Sequence, residues 1–166
     1  ATLDDARAIR AGDVATAAEG VYLVSRPHEL TLPAYEQKIR ALESDGVYLV
    51  VESWPGEASR AKDGALDSST SSASIIAHAF VEPIGLERRA HVYSLTIVVH
   101  PGHRERGIGT SLMEALMDWA ARHPRLEKIE LLVRATNTRA ISLYEKFGFV
   151  EEGRFRKRLF VEDGTG

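Results

Sequence analysis

The chain has 166 residues, and its 21 basic and 24 acidic side chains give a formal net charge of -3. This length predicts one domain, and 44% hydrophobic and 27% charged residues are typical of a globular protein. The slightly acidic balance disfavours a general binder of nucleic acid or anionic membranes, because such proteins concentrate positive charge. The absence of cysteine excludes disulfides, thiolate metal sites and a cysteine nucleophile, and it fits a reducing compartment.

Targeting and membrane signals are absent from the sequence pattern. The longest apolar runs, Val47 to Val51 and Leu95 to Val99, have the length of strands and not the ~20 residues that span a bilayer. The N-terminus lacks the basic and then apolar pattern of a secretory signal. We therefore expect a soluble, cytoplasmic protein with no membrane partner.

The first part of the chain predicts a short strand and two helices. Ala6 to Arg10 is the strand candidate, and Asp13 has the residue type of an N-cap for a helix that begins at Val14. Apolar residues then recur at three- and four-residue steps, which is the helical period. Thr31 precedes a second helix with the same period, and Gly46 ends it.

Three strands are predicted next, at Val47 to Glu52, Ser74 to Val81 and His91 to Val99. Between the first two, residues 57–74 carry six serines and one large apolar residue. Such a segment buries too little apolar surface to offset an ordering entropy of roughly 1–2 kcal/mol per residue. We expect a mobile loop there, inside a single domain that spans the whole chain.

The last part of the chain alternates helices and strands. Gly107 to Arg122 is a strongly amphipathic helix, and Lys128 to Ala135 predicts a strand. Thr138 to Phe147 predicts a helix that Gly148 ends, and a last strand runs from Phe149 to about Val161. Helical crossovers imply parallel neighbours here, whereas the hairpin-like middle implies antiparallel ones. The order of elements predicts a mixed-sheet α/β domain.

A glycine-containing loop follows the strand that ends at Val99 and leads into the long helix. Free amides and the positive end of the helix dipole meet at such a helix start, so the loop predicts an anion site. A P-loop is disfavoured because the loop contains no lysine. A dinucleotide-binding fingerprint is disfavoured because Leu112 occupies the position of its third glycine.

The loop, Arg-x-x-Gly-x-Gly from Arg104, resembles the pyrophosphate loop of the GCN5-related N-acetyltransferase (GNAT) superfamily. A second motif of that family, Asn-x-x-Ala-x-x-Leu-Tyr-x-x-x-Gly-Phe, is matched from Asn137 to Phe149. The two motifs stand in the family's order, and the resemblance covers Val92 to Arg158. It implies a mixed, mostly antiparallel sheet that is flanked by helices and splayed between its central parallel strands.

The resemblance implies acetyl-CoA as the cosubstrate. Backbone groups of Ile97, Val98 and Val99 would bind the pantetheine arm, which Asn137 would also contact. Arg104 would shape the loop and add positive charge, as would Arg106. The amides that would hold the pyrophosphate belong to Glu105, Arg106, Gly107, Ile108, Gly109 and Thr110.

The implied reaction is attack of a neutral amine on the thioester carbonyl, which needs an oxyanion donor and an acid for the thiolate. The amides of Val98 and Val99 are the predicted oxyanion donors. The family motif makes Tyr144 the hypothesised general acid, although helical periodicity alone would make it a half-buried core residue.

The general base stays open between several residues. Tyr93 is favoured by position and His91 by chemistry, while Glu52, Glu82 or an ordered-water relay are further alternatives. In ribosomal-protein alanine acetyltransferases, a similar branch, a Glu lies five positions before the motif Asn. Leu132 stands there in this chain, which counts against that mechanism.

We expect an N-acetyltransferase that acts on a primary amine of a small molecule, such as an amino acid, a polyamine or an antibiotic. The alternatives are acetylation of a protein N-terminus or lysine, and a non-catalytic acyl-CoA-binding module.

Two further patterns could indicate a metal site or a nucleic-acid partner, and we expect neither. His100 and His103 lie three positions apart with no third ligand nearby in sequence, so no metal is expected. Basic residues at 154–158 would alternate between the faces of a strand, and we expect no nucleic-acid partner.

The chain stops at Gly166 where the family adds a seventh strand, so that strand is either missing or replaced by the second subunit of a homodimer.

Overall fold

The structure is a computed structural model that describes residues 1–53 and 73–158. The mobile loop expected at 57–74 lies, apart from its last two residues, outside the described residues. None of the helices in these two ranges is long and apolar enough to cross a bilayer. The helices and strands are α1 (Ala6–Ala18), α2 (Leu32–Leu42), β1 (Val47–Ser53), β2 (Ser74–Pro83), β3 (Val92–Val99), α3 (Ile108–Arg122), β4 (Lys128–Glu130) and α4 (Thr138–Lys146).

The four strands form one mixed sheet in the order β1-β2-β3-β4. β1 pairs with β2, and β2 with β3, in antiparallel register, whereas β3 and β4 are parallel. The parallel pairing covers Val92 to Ser94 alone, because β4 has three residues. The other edge of Leu95 to Val99 has no partner strand in the described part of the chain. The predicted mixed, mostly antiparallel sheet that opens between its parallel strands is confirmed.

Helices cover both faces of this sheet and bury two apolar clusters. One cluster lies between the sheet and α3, and its buried residues are Ala77, Ala79, Val81, Tyr93, Leu95, Leu112, Met113 and Leu116. The other lies between the sheet and the first two helices, and it contains Ala6, Ile9, Ile39, Leu42 and Tyr48. Burial of each large apolar side chain contributes about 1.5–3 kcal/mol, so these clusters hold the helices on the sheet.

The prediction for the N-terminus was wrong in type, since residues 6–10 begin α1 and do not form a strand. The buried residues Ala6, Ile9, Asp13 and Thr16 are spaced by three or four positions, which places them on one helical stripe. Asp13 is therefore a buried residue within α1 and not an N-cap. A segment of five residues is too short for its periodicity to distinguish a strand from the first turns of a helix.

The two strands predicted nearest the C-terminus also differ between prediction and structure. β4 ends at Glu130, five residues before the predicted end at Ala135. The last strand, expected from Phe149, is absent from residues 149–158, and its remaining residues lie outside the described ranges. The segment is exposed from 150 to 158 and rich in Glu, Gly, Lys and Arg, several of which are depleted in strands.

Candidate active site

A cleft of about 250 Å³ opens where β3 loses its parallel partner. Residues of β3, of the loop before α3, of α4 and of the segment after α1 line it. The structure places in this lining all but one of the predicted cofactor contacts, the exception being the exposed Arg106. Those that line it are Ile97, Val98, Val99, Arg104, Glu105, Gly107, Ile108, Gly109, Thr110, Asn137 and Tyr144.

The hydrogen-bond pattern of β3 determines which backbone groups face the cleft. At one end of the β2-β3 pair the His100 amide donates to the Ile76 carbonyl, and at the other the Ile84 amide donates to the Val92 carbonyl. The register between these two bonds contains no shift. Because hydrogen-bonded pairs alternate in antiparallel strands, the even-numbered residues of β3 bond to β2. The odd-numbered residues direct their amides and carbonyls toward the open edge.

Ile97 and Val99 consequently present their amides to the cleft, whereas the Val98 amide is directed toward β2. The expectation that Val98 supplies an oxyanion donor or a pantetheine contact through its backbone is therefore not met. The Val99 carbonyl accepts a hydrogen bond from Arg104 Nε at 3.2 Å. The groups left available are the amide and carbonyl of Ile97 and the amide of Val99.

The loop before α3 presents a row of amides to the same cleft. Glu105 and Gly107 have φ values of 70° and 78°, so the chain turns twice through the left-handed region. Gly107 is the N-cap of α3, and its carbonyl accepts from the Ser111 amide at 3.0 Å. The amides of the first helical turn have no acceptor within the helix. Together with the helix dipole, such amides are suited to an anionic group such as a pyrophosphate.

The first turn of α3 lies close to α4, and this closeness shapes the cleft. A Cβ at Gly109 would lie 3.2 Å from the Leu143 side chain, so a larger residue there would push the two helices apart. Asn137 is the N-cap of α4, and its Oδ1 accepts from the Ala140 amide at 3.2 Å. The side-chain NH₂ of Asn137 remains available as a donor to a ligand.

Arg104, the first residue of the loop motif, is fully engaged by the protein. Its Nη1 and Nη2 donate to the two carboxylate oxygens of Glu19 at 3.1 and 2.6 Å. Its guanidinium carbon lies 4.0 Å from the centroid of the Tyr22 ring. With its Nε bond to Val99, Arg104 therefore joins the end of α1 to the end of β3 beside the cleft.

Tyr144 lies in the cleft on α4, half-buried, with its ring 5.9 Å from that of Phe149. Burial raises the pKa of its phenol, so the hydroxyl stays protonated at neutral pH. Within the described residues this hydroxyl has no hydrogen-bond partner. It is free to donate to a ligand in the cleft.

The two preferred candidates for the base lie elsewhere. Tyr93 is fully buried against α3, and its hydroxyl donates to Asp45 Oδ1 at 2.8 Å. Burial and the Asp45 contact raise the pKa of Tyr93, which makes it a poor proton acceptor. His91 is exposed before β3, where its carbonyl accepts from the amides of Glu127 and Lys128. Neither side chain lines the cleft.

The alternative carboxylates, Glu82 and Glu52, do not line the cleft either. Glu82 is paired with Lys38 on α2, and Glu52 is exposed near the end of β1. Glu105 is the one carboxylate in the described lining of the cleft, and it is paired with Arg139.

Sequence reasoning missed several lining residues, namely Thr16, Tyr22, Leu23, His103, Arg139, Ala140 and Leu143. Ala140 and Leu143 were read as part of the motif that identified α4, but not as contacts. Thr16, Tyr22 and Leu23 belong to a segment with no motif, and only their place in the lining of the cleft reveals them.

A family model described as the acetyltransferase (GNAT) family matches residues 30–149. The L-amino acid N-acetyltransferase AaaT of Escherichia coli (strain K12) is 31% identical over 83 residues, which are 50% of this chain and 51% of that protein. An N-alpha-acetyltransferase of Sulfurisphaera tokodaii is 38% identical over 66 residues, which are 40% of this chain and 38% of that protein. The chain thus spans about half or less of the length of these relatives.

Among solved structures, an acetyltransferase of the GNAT family from Streptococcus pneumoniae superimposes with a TM-score of 0.78 at 23% identity. The alignment covers 99% of this chain and 89% of that chain, which shows a shared fold. The family match extends over most of the chain and includes both motifs. The chain belongs to the GNAT family of acetyltransferases.

Proposed function

We propose that this protein is an acetyl-CoA-dependent N-acetyltransferase that acts on a primary amine of a small molecule. The observation that carries the proposal is the open edge of β3, which lies in one cleft with the amide loop before α3 and with Tyr144. A backbone edge, an anion site and a half-buried phenol are the three features that would bind and activate an acyl thioester attached to a pyrophosphate.

The fit of the cofactor follows from the donor groups. The pantetheine arm carries two amide groups, and the free amide and carbonyl of Ile97 can pair with them as a strand edge pairs with an added strand. The amides from Glu105 to Thr110 would hold the pyrophosphate, and the NH₂ of Asn137 would donate to the arm. When bound, acetyl-CoA supplies the thioester whose carbonyl carbon is the electrophile.

The residues of the cleft have separate roles in the transfer. The Val99 amide donates to the oxygen that becomes negative as the C–N bond forms. Tyr144 donates its proton to the sulfur as the C–S bond breaks, and the proton lost by the amine passes to solvent and restores the phenol. A thiol has a pKa near ~8.5, so this protonation assists a leaving group that is already moderate.

The amine reacts in its neutral form. An alkylammonium has a pKa near ~10.4, so about one molecule in a thousand is neutral at pH 7. In the described lining of the cleft the one carboxylate, Glu105, is paired with Arg139, and the one imidazole is that of His103. The proposal takes the neutral amine from solution, through bulk or ordered water, and His103 is the alternative base.

The acceptor side of the cleft supports a small substrate. Arg104 binds Glu19, and Arg134 Nη1 donates to the carbonyls of Gly20 and Val21 at 2.7 and 2.9 Å. The segment after α1, which lines the cleft with Tyr22 and Leu23, is thereby tied to the loop before α3 and to the chain that follows β4. The proposal takes this tied segment to favour a small substrate over a protein chain. The E. coli relative, whose name refers to amino acids, supports the same choice, whereas the S. tokodaii relative favours an N-terminal substrate.

A panel of amines tests the proposal by release of the CoA thiol from acetyl-CoA. The panel holds amino acids, polyamines, an aminoglycoside and short peptides with free N-termini. We expect release that depends on one of the small amines. Turnover of peptides alone would favour protein acetylation, and binding of acetyl-CoA without turnover of any amine would indicate a non-catalytic module.

A further inference from the structure

A buried polar cluster lies apart from the cleft, between α1, β2 and the turn after β3. Its members are Asp13, His78 and His100, which expose 5%, 1% and 5% of their surfaces. One ligand atom of each residue lies within 4.8 Å of those of the other two. We call these three residues the Asp13 cluster. Two imidazoles and one carboxylate in contact are a set of ligands typical of a transition-metal site.

The orientation of His100 leaves a nitrogen lone pair in the cluster. Its Nδ1 lies 3.1 Å from the Ile75 carbonyl, which can only accept, so Nδ1 carries the hydrogen. The Nε2 atom of the neutral ring then has a lone pair, and it lies 3.6 Å from Asp13 Oδ1. This Nε2 is buried and has no hydrogen-bond partner among the described residues. A lone pair facing a buried carboxylate is unfavourable unless a cation lies between them.

The other two ligands have outer partners that suit a metal site. His78 Nε2 lies 2.8 Å from Asp13 Oδ1, and its Nδ1 lies 3.2 Å from the Tyr48 hydroxyl. That hydroxyl can accept from Nδ1, which frees Nε2 to bind a metal. The second oxygen of Asp13 accepts from the Tyr35 hydroxyl at 2.6 Å. Ligands of protein metal sites are usually oriented by such outer hydrogen bonds.

The backbone of α1 accommodates the cluster at Gly12. A Cβ at this position would lie 2.0–2.4 Å from atoms of the His100 ring, so only glycine lets the ring lie against the helix. Glycine within a helix costs about 0.5–1 kcal/mol relative to alanine. The fold accepts that cost where it brings His100 next to Asp13.

We propose that Asp13, His78 and His100 bind one divalent transition-metal ion of the zinc class. Mg²⁺ and Ca²⁺ are disfavoured because they prefer all-oxygen ligands. Three protein ligands leave a fourth position of a tetrahedral site for water. Bonds of ~2.0–2.1 Å place tetrahedral ligands ~3.3 Å apart, so the 2.8 Å contact between His78 and Asp13 opens by about half an ångström.

Zinc titration of chelator-treated full-length protein tests the site, with a chromophoric zinc indicator as competitor. We expect one Zn²⁺ per chain, and Co²⁺ in its place should give the visible absorption of a tetrahedral complex. Failure of the wild-type protein to bind one Zn²⁺ overturns the proposal. An imidazolium signal for His100 in nitrogen NMR of such metal-free protein would show that a proton is the cation.

Variants locate the bound ion. His100→Gln and His78→Gln should each weaken binding by more than the about 10- to 100-fold that loss of an outer partner costs, and Tyr48→Phe by about tenfold. The matched control is His123→Gln, because His123 Nε2 also contacts an aspartate, Asp45, at 3.3 Å but has no second histidine beside it. Binding that persists in His100→Gln and His78→Gln contradicts the proposal.

Anomalous diffraction at the zinc edge gives a measurement that does not depend on any variant folding. In wild-type crystals grown with Zn²⁺, we expect a peak at about 2.0–2.2 Å from Asp13, His78 and His100. A peak elsewhere, or none, overturns the assignment. None of these measurements requires acetyl transfer, so they stand independently of the proposed activity.

Discussion

The two halves of β3, Val92 to Ser94 and Leu95 to Val99, belong to one continuous strand but have different surroundings. Val92 to Ser94 is paired on both edges, with β2 and with β4. Leu95 to Val99 is paired with β2 on one edge, and its other edge borders the cleft. In the first half, the Tyr93 hydroxyl donates to Asp45 inside the fold. In the second half, the backbone amide of Val99 is open to a ligand.

The difference between the halves comes from the length of β4 and not from β3 itself. Three residues of β4 satisfy the backbone of the first half, and the chain then leaves the sheet at Glu130. Open backbone groups are a cost to stability that a ligand can remove. A binding edge is thus created by ending a neighbouring strand early. Substitutions can distinguish the two halves of β3, and they can distinguish the amides that face the cleft from those that face β2.

The largest expected effect comes from a pair of proline substitutions. Val99→Pro removes an amide that faces the cleft, and loss of an oxyanion donor should lower kcat by about 10²–10³-fold. Val98→Pro removes an amide that bonds to β2, and an unsatisfied buried carbonyl should lower the free energy of unfolding by about 1–3 kcal/mol.

Val98→Pro and Val99→Pro are compared by their kcat and by their midpoint of thermal unfolding. Proline is tolerated in a strand where its nitrogen faces an unpaired edge, so Val99→Pro should unfold close to the wild-type temperature. Equal loss of stability in Val98→Pro and Val99→Pro would show that the assigned alternation is wrong.

The next effect concerns two tyrosines, one near each half. Tyr144→Phe should lower kcat by about 10- to 100-fold, with the affinity for acetyl-CoA nearly unchanged, because the proton donor to sulfur is lost. Tyr93→Phe is the matched control, and its kcat should equal that of the wild type. An unchanged kcat in Tyr144→Phe would remove its role as the acid.

The pH profile tests whether the paired half contributes a base. If the neutral amine comes from solution, kcat/KM should rise about tenfold per pH unit from pH 6 to pH 9. The raised pKa of Tyr144 keeps the acid protonated over this range, so no decline is expected below pH 9. A plateau beginning near pH 6–7 would indicate an enzymatic base and would contradict the supply of neutral amine from solution.

The smallest effects are changes of stability around Asp45. Burial raises the pKa of Asp45, but hydrogen bonds from Tyr93 and Arg125 outweigh it, and the net pKa is lowered. A lowered pKa means that the carboxylate stabilises the fold above its unfolded pKa of ~3.9 and loses this effect as the pH falls. Asp45→Asn should therefore unfold at a lower temperature than wild type at pH 7, with a gap that narrows below pH 4.

The helices and strands with strong periodicity were predictable from the sequence. α3 and α4 begin and end within one residue of their predicted positions, because a long apolar stripe and a glycine C-cap are local signals. The start of α1 was not predictable, since a segment of five residues fits the period of a helix or of a strand until its packing partner is known. The early end of β4 was also missed, because strand length depends on pairing.

For the candidate site, the loop that lines the cleft could be predicted and a base could not. The positions of the glycine loop and of Asn137 depend on local backbone geometry, which a short motif specifies. Tyr93 was a reasonable candidate by position on β3, yet its hydroxyl points toward Asp45, a residue 48 positions away in the chain. The Asp13 cluster was missed because its members are 65 and 22 positions apart.

The sequence by itself determined the family, the mixed α/β class and the glycine loop that leads into α3. These depend on residues close together in the chain, whose backbone preferences act locally. The tertiary structure alone decided which amides of β3 are open, which side chains reach the cleft, and that two histidines meet Asp13. Those depend on register and on packing between distant segments, where one residue of shift reverses the direction of every group.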